Sequence, residues 1–114
     1  MIVEGQVHGG VVQGIAQALF EEAVYDSDGN LKSSNLSEYL VPAASDVPAI
    51  TTGHTITPSP TNQLGVKGVG EAGTIGAAPT VMTAIIDALS TLGVTSMAMP
   101  ASPQTVWKTI QEAT

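Results

Sequence analysis

Residues 11–23, VVQGIAQALFEEA, carry the clearest periodic pattern in the chain. Their apolar side chains recur at helical spacing, while Gln13, Gln17 and Glu21 fall on another face. The pattern predicts an amphipathic helix of about three turns. Two glycines precede it at residues 9–10, and their missing side chains would let a ligand approach the free N–H groups of the first turn. The start of this helix is therefore a candidate polar-ligand site.

The segments that follow this helix predict β-structure and then a long loop. The turn formers DSDGN at residues 26–30 lie between the pairs Val24-Tyr25 and Leu31-Lys32 and predict a β-hairpin. Residues 50–57 are rich in threonine and β-branched side chains, which favours an extended strand. The stretch from Pro58 to Gly76 contains two prolines and five glycines, so it predicts a loop.

The last third of the chain predicts a helix, a strand and a final helix. The second helix is expected to begin near Pro79, with this proline in its first turn, and to end before Gly93. Residues 94–99 predict a buried strand. The pair at residues 102–103, Ser-Pro, is a cap and first-turn signal for the last helix. Trp107 is predicted to belong to the core.

The order of these elements predicts an α+β fold. We expect residues 1–114 to form a single domain in which helices pack on one face of a small mixed sheet, with strands from outside the chain completing that sheet. Charged residues make up 11% of the chain and hydrophobic residues 43%, whereas soluble domains usually contain about 25% charged residues. The low charge predicts that other protein covers part of the surface.

Charge and composition exclude several classes of function. The formal net charge of −7 removes the attraction to phosphates that dominates nucleic-acid binding. The chain has no cysteine, which excludes disulfides and iron–sulfur clusters held by this chain, and its two histidines are far apart in sequence, so no metal ligated by the protein is expected. The sequence shows no apolar run of about 20 residues and no signal-peptide pattern, which predicts a cytoplasmic protein without a membrane span.

The first candidate site is the glycine-rich run GVKGVGEAGT at residues 65–74. It places one carboxylate, Glu71, among glycines and small apolar residues. A carboxylate that is removed from water holds a proton more tightly, which suits a general base near neutral pH. The glycines let backbone N–H groups approach a bulky anionic ligand. The alternative is a flexible loop with a solvated Glu71 and a surface Lys67, since the spacing matches neither the dinucleotide fingerprint nor the phosphate-binding P-loop.

The second candidate site is QVHGGVVQG at residues 6–14. A glutamine amide both donates and accepts hydrogen bonds, so it can recognise the mixed edge of a pterin or a nucleotide. The alternative is that Gln13 and Gln17 form the solvent-facing side of the helix, and this interpretation is preferred for Gln17. His8 is interpreted as a structural histidine.

Three segments together resemble a known family. The run from Gly5 to Glu22, the loop SPTNQLGVKGVGEAGTIGAAP at 59–79 and the tail MPASPQTVW at 99–107 are similar to the C-terminal part of the molybdenum hydroxylase large subunit. This is the family of xanthine dehydrogenase, aldehyde oxidase and aerobic carbon monoxide dehydrogenase. Residues 65–77, GVKGVGEAGTIGA, are closest to the carbon monoxide dehydrogenase branch, because xanthine dehydrogenases carry a proline after the equivalent glutamate.

The resemblance implies that the chain is part of a molybdenum-cofactor-binding domain in a molybdenum-dependent oxidoreductase. It implies that Glu71 lies beside the metal as the general base of hydroxylation. The cofactor is expected to be molybdopterin in its cytosine dinucleotide form. The residues expected to contact it are Gln6, Lys67, Gly68, Val69 and Gly70. No residue of this chain is expected to ligate the metal.

The resemblance also implies partners. These are the remaining segments of the large subunit together with iron–sulfur and flavin subunits, so the chain alone is expected to be inactive. The earlier cofactor-binding segments are absent from the sequence, as is the loop that carries a copper-binding cysteine in carbon monoxide dehydrogenases. The alternative hypothesis is a truncated, non-catalytic remnant that forms homo-oligomers and binds no cofactor. A generic small-ligand-binding domain has less support.

Overall fold

The computed structural model describes all residues 1–114 and consists of three α-helices joined by long irregular connections. The helices are α1 (Ile2–Leu19), α2 (Ala72–Leu89) and α3 (Pro103–Ala113), with short 3₁₀ turns at Ala44–Asp46 and Ser90–Leu92. The two long helices, α1 and α2, pack against each other. The α3 helix makes no extended contact with either of them. The core of the chain is therefore the α1–α2 pair.

The α1 helix begins at Ile2, well before the start predicted at Val11. Sequence reasoning missed this first half because it contains three of the helix's four glycines, and each interior glycine costs about 1 kcal/mol relative to alanine. Residues 9–10 therefore lie inside the helix, where their N–H groups are not exposed as they are at a helix start. The predicted ligand site at that helix start is wrong.

The α2 helix begins at Ala72 rather than near Pro79. Pro79 lies in the interior of the helix, where it removes one hydrogen bond of the i→i−4 ladder. The loop predicted from Pro58 to Gly76 consequently ends at Glu71. The predicted end of the helix is confirmed, because Gly93 follows the final 3₁₀ turn with a φ of 82°.

The predicted α+β fold is wrong. Helices account for 46% of the residues and strands for 2%, and there is no sheet. The segments predicted as strands, residues 50–57 and 94–99, are irregular. A β-strand exists only as part of a hydrogen-bonded ladder, and their β-branched residues do not suffice where no neighbouring strand lies alongside. The helices consequently have no sheet to cover.

Two local predictions are confirmed. The DSDGN turn lies in a tight loop in which Tyr25 and Leu31 form a single antiparallel bridge, with Gly29 at a φ of 83°. This hairpin is too short to contain regular strands. The α3 helix starts where the Ser-Pro pair predicted, because the Ser102 hydroxyl accepts a hydrogen bond of 3.2 Å from the Thr105 N–H.

Two titratable side chains stabilise the connection that follows α1. Hydrogen bonds donated by the backbone and side chain of Asn30 hold the pKa of Asp26 below its usual 3.8, so this loop contact is present above that pH and is lost in acid. The hydrogen bond of 2.8 Å that the Tyr39 hydroxyl donates to Glu21 raises the pKa of Tyr39 above 10.0. That contact is present below this pH and is lost as the phenol deprotonates in base.

The chain exposes an unusual amount of its surface. Only nine of 114 residues are buried. The accessible area is 8285 Å² for a mass of 11.6 kDa, whereas a compact monomer of this mass exposes about 5,800 Å². The radius of gyration is 17.7 Å, against about 13 Å for a compact domain of this length. Trp107 is 62% exposed, so its predicted place in the core is wrong within this chain.

The sequence predicts no segment that is long and apolar enough to span a membrane, and one helical segment differs from this prediction. Ala72–Leu92 spans 21 residues with a mean hydropathy of 1.4, which satisfies the requirement by length and composition alone. These two properties are weak evidence for a membrane span, because a helix in the core of a larger soluble protein has them too. Within the chain, α2 buries only Gly73 and Ala78.

Candidate functional site

The two candidate segments meet where α1 crosses the first turn of α2. This crossing is a contact between backbones. A Cβ atom added to Gly73 would lie 2.7 Å from the Val7 carbonyl oxygen and 2.8 Å from the Val11 nitrogen. One added to Gly10 would lie 3.1 Å from the Gly73 Cα. Gly73 therefore has no room for a side chain, because real Cβ atoms do not approach backbone atoms so closely, and at Gly10 a Cβ would be accommodated only if the facing backbone shifted by a few tenths of an ångström.

Gln6 lies on the same face of α1 as this crossing. It precedes Gly10 by four residues, and residues four apart occupy one side of a helix. A Cβ atom built on Gly70 would lie 3.7 Å from the Gln6 Oε1, so the Gln6 amide is close to the backbone that leads into α2. The structure therefore brings Gln6 and Gly70 together, although 64 residues separate them in sequence.

Glu71 occupies the N-cap position of α2. Its carbonyl accepts a hydrogen bond of 3.1 Å from the Ile75 N–H, which fixes its backbone at the helix start. Its side chain makes no capping hydrogen bond and is exposed. The dry niche expected around this carboxylate is thus not formed by the residues of this chain, and enclosure of Glu71 requires other protein.

The segment before Glu71 carries a row of backbone donors with no backbone partner. None of the N–H groups from Lys67 to Glu71 donates to another backbone carbonyl. The loop is nevertheless fixed on its N-terminal side by two hydrogen bonds of Asn62. The Asn62 Nδ2 donates to the Val66 carbonyl at 3.0 Å, and the Asn62 Oδ1 accepts from the Val66 N–H at 3.1 Å. Between Val66, which is hydrogen-bonded to Asn62, and the start of α2, the five consecutive N–H groups of residues 67–71 are available to a ligand.

The other residues of this row have open surroundings. A Cβ atom added to Gly68 would meet nothing within 4 Å, so a large ligand has room beside it. Val69 is half-buried, and its carbonyl accepts a hydrogen bond of 3.3 Å from the Ala72 N–H. Lys67 is exposed and forms no ion pair. Its ammonium group is therefore free to meet an anionic ligand.

Three polar residues of α1 lie outside this meeting point or at its edge. The His8 Nε2 is 3.2 Å from the Ile50 carbonyl oxygen, which confirms the interpretation of His8 as structural. Gln17 is exposed, as its preferred interpretation requires. The Gln13 Oε1 lies 3.5 Å from the Thr74 hydroxyl, so Gln13 sits at the edge that faces α2.

Sequence reasoning overlooked Gly73 and Thr74. Both lie within the loop predicted from Pro58 to Gly76, whereas they form the part of α2 that contacts α1. A signal was available in the spacing of small residues, since Gly10 and Gly14 on α1 are four apart, as are Gly73 and Ala77 on α2. Small residues at this spacing allow two helices to approach closely on one face.

Comparison with known proteins identifies this helix pair. A model of the molybdopterin cofactor-binding domain matches residues 1–48. The carbon monoxide dehydrogenase large chain of Hydrogenophaga pseudoflava is 42% identical over 112 residues, which is 98% of this chain and 14% of that protein. The chain belongs to the molybdenum hydroxylase large-subunit family. The chain spans about one seventh of the length of this relative.

Two further relatives show how wide this family is. The nicotine 6-hydroxylase large subunit of Paenarthrobacter nicotinovorans is 45% identical over 105 residues, covering 92% of this chain and 13% of that protein. A crystal structure of Cu,Mo-CO dehydrogenase superposes with a TM-score of 0.94 at 36% identity, covering 99% of this chain and 14% of that one. The arrangement of α1, α2 and the loop between them therefore matches the corresponding part of that structure.

The residues at the helix crossing fit a molybdopterin ligand. Molybdopterin presents both donors and acceptors at the edge of its pterin ring and carries an anionic phosphate on its side chain, so it needs mixed hydrogen-bonding groups and N–H donors. The Gln6 amide supplies the first, and the unpaired N–H groups of residues 67–71 supply the second. The open space at Gly68 leaves room for a bulky group.

Proposed function

We propose that this chain forms one wall of the active site in a molybdenum-dependent hydroxylase. The observation that carries the proposal is the juxtaposition of three features at one end of the α1–α2 pair. These are the Gln6 amide, the free N–H groups of residues 67–71 and the unpaired carboxylate of Glu71. The relatives reported above are large subunits of enzymes whose names state oxidation or hydroxylation.

In this proposal the chain binds the cofactor and moves a proton. The molybdenum cofactor, when bound, supplies the two-electron redox chemistry. Gln6 and the backbone of residues 67–70 would hold its pterin, and we propose the cytosine dinucleotide form. Glu71 is the general base, which accepts a proton on a carboxylate oxygen. Such catalysis accelerates a reaction by about 10²–10⁴-fold.

The proposal requires partners to complete the site. Glu71 is exposed in this chain, and a base near neutral pH needs surroundings that exclude water. We propose that the remaining large-subunit segments cover the end of the helix pair, and that iron–sulfur and flavin subunits carry the electrons away from it. The exposed apolar surface of the chain supports the first part of this statement. We further propose that the assembly is cytoplasmic.

The test is a Glu71→Gln substitution in the assembled enzyme. The amide has nearly the same shape but cannot accept the proton, so turnover should fall by about 10²–10⁴-fold. Molybdenum content, measured by metal analysis, should be unchanged. The matched control is Glu22→Gln, which alters another exposed glutamate three residues beyond the C-terminal end of α1 and should leave turnover at the wild-type rate.

Two results would contradict the proposal. One is a Glu71→Gln enzyme that turns over at the wild-type rate. The other is a preparation made together with the remaining large-subunit segments that contains no molybdenum and consists of homo-oligomers of this chain.

A further inference from the structure

We propose that the Thr74 hydroxyl is a positioning group that sets the register of α2 on α1 and thereby the place of Glu71 beside Gln6. This inference rests on the proposed role of Glu71 as a base. The Thr74 Oγ1 donates a hydrogen bond of 2.9 Å to the Gly10 carbonyl oxygen, and the bond joins residues that are 64 apart in sequence. It is the side-chain hydrogen bond that links the two long helices most directly.

Thr74 and Glu71 belong to the same helical turn. Glu71 is the N-cap and Thr74 lies three residues further on, in the first turn of α2. A displacement of this turn along α1 would carry the Glu71 backbone with it. On α1, the acceptor residue Gly10 lies one turn after Gln6 on the same face. The Thr74–Gly10 bond therefore ties the turn that holds the base to the turn next to the glutamine.

The glycine contacts alone do not set this register. A Cβ atom added to Gly10 would lie 3.1 Å from the Gly73 Cα and 3.1 Å from the Thr74 nitrogen. The two backbones are therefore in close contact here, and this contact limits how near they can come. Such contacts are non-directional, so they resist compression more than sliding. A hydrogen bond depends on distance and angle together, and it weakens steeply when either changes. The Thr74 hydroxyl therefore supplies the directional contact that fixes the position of α2 along α1.

The hydroxyl has one proton, so it can serve one acceptor well. The Gly10 carbonyl is at 2.9 Å and the Gln13 Oε1 at 3.5 Å, and the shorter contact has the geometry of a normal O–H···O bond. The bond is also partly buried, where competition from water is reduced.

The experiment compares three variants in the assembled enzyme. Thr74→Val keeps the shape of the side chain and removes the donor, and Thr74→Ser keeps the hydroxyl. The matched control is Thr80→Val, which removes a bond from a threonine hydroxyl to the Gly76 carbonyl within α2 itself. We expect Thr74→Val to lower kcat by about tenfold to a hundredfold, because misplaced reacting groups cost rates of this size. KM should change little, Thr74→Ser should restore most of kcat, and Thr80→Val should behave as wild type.

A second readout does not depend on turnover. Amide hydrogen exchange of a peptide covering residues 70–78 should be about tenfold faster in Thr74→Val than in wild type, with Thr80→Val unchanged over the first turn. Molybdenum content should stay at the wild-type level in all variants. Faster exchange at the first turn together with full molybdenum and a low kcat supports positioning.

The outcomes separate this inference from the proposed function. If Glu71→Gln is inactive but Thr74→Val has wild-type kcat and exchange, the positioning role is overturned and the base remains. If Glu71→Gln turns over normally, the proposed function is overturned first. A Thr74→Val enzyme that loses molybdenum in proportion to its loss of kcat would show that the hydroxyl only stabilises the fold, and this also overturns the inference.

Discussion

Gly73 and Gly76 belong to the same helix, but they have different surroundings. A Cβ atom on Gly73 would overlap backbone atoms of α1, whereas one on Gly76 would meet nothing within 4 Å. The composition of the loop predicted from Pro58 to Gly76 does not separate the two glycines. Their difference arises because Gly73 lies directly at the contact with α1, whereas Gly76 borders the open groove beside that contact.

We expect alanine to have opposite effects at these two positions. Gly73→Ala places its methyl group 2.7 Å from a backbone oxygen, so it should destabilise the crossing by about 1–3 kcal/mol or more. Gly76→Ala should stabilise α2 by up to about 1 kcal/mol, because alanine has the higher helix propensity. Amide hydrogen exchange of α2 in the assembled protein measures both opening free energies. Equal effects of the two substitutions would contradict the tight crossing.

Among the elements, the helix boundaries that carry a local signal are predicted correctly, at the end of α2 and the start of α3, whereas the pattern over residues 11–23 extends past the end of α1 at Leu19. Gly93 and the Ser-Pro pair at residues 102–103 act locally, so the sequence is sufficient to place them. The starts of α1 and α2 lie within glycine-rich runs of low helix propensity. Those runs are helical because each helix packs against the other, and within the sequence that contact is indicated only by the spacing of small residues four apart.

The start of α3 provides a test of a local signal. Ser102→Ala removes the acceptor for the Thr105 N–H, a bond of 3.2 Å, and should destabilise the first turn of α3 by about 1 kcal/mol. Ser102→Asp keeps a capping oxygen and should retain most of that stability. Hydrogen exchange over residues 103–109 is the measurement. If alanine and aspartate give the same exchange rates, Ser102 is not the cap on which α3 depends.

At the scale of the whole molecule, the exposed apolar surface dominates. Leu64, Ile75 and Trp107 are 86%, 66% and 62% exposed, and isolated soluble proteins rarely leave so much apolar surface uncovered. The low charge of the sequence predicted this shortage of polar covering. The structure adds where the surface lies, at the start of α1, along the connection between α1 and α2, and at single residues of α2 and α3.

We expect the chain on its own to associate rather than to remain a compact monomer. Sedimentation should show oligomers or aggregates, and a hydrophobic dye should bind and fluoresce. Adding the remaining large-subunit segments during expression should reduce dye binding, because they would cover the same surface. A soluble monomer that binds no dye would contradict this expectation.

On its own, the sequence determined the features that act through neighbouring residues. These are the tight loop at residues 26–30, the cap of α3, the end of α2 and the family motif that contains Glu71. The tertiary structure alone decided that the glycine-rich runs around Gly10 and Gly73 are helical and that the β-branched segments form no sheet. The physical reason is the same in both cases. A glycine-rich helix is stabilised when another helix packs closely against it, and here that helix is distant in sequence. A strand is stabilised by a neighbouring strand, and here no such strand is present in the chain.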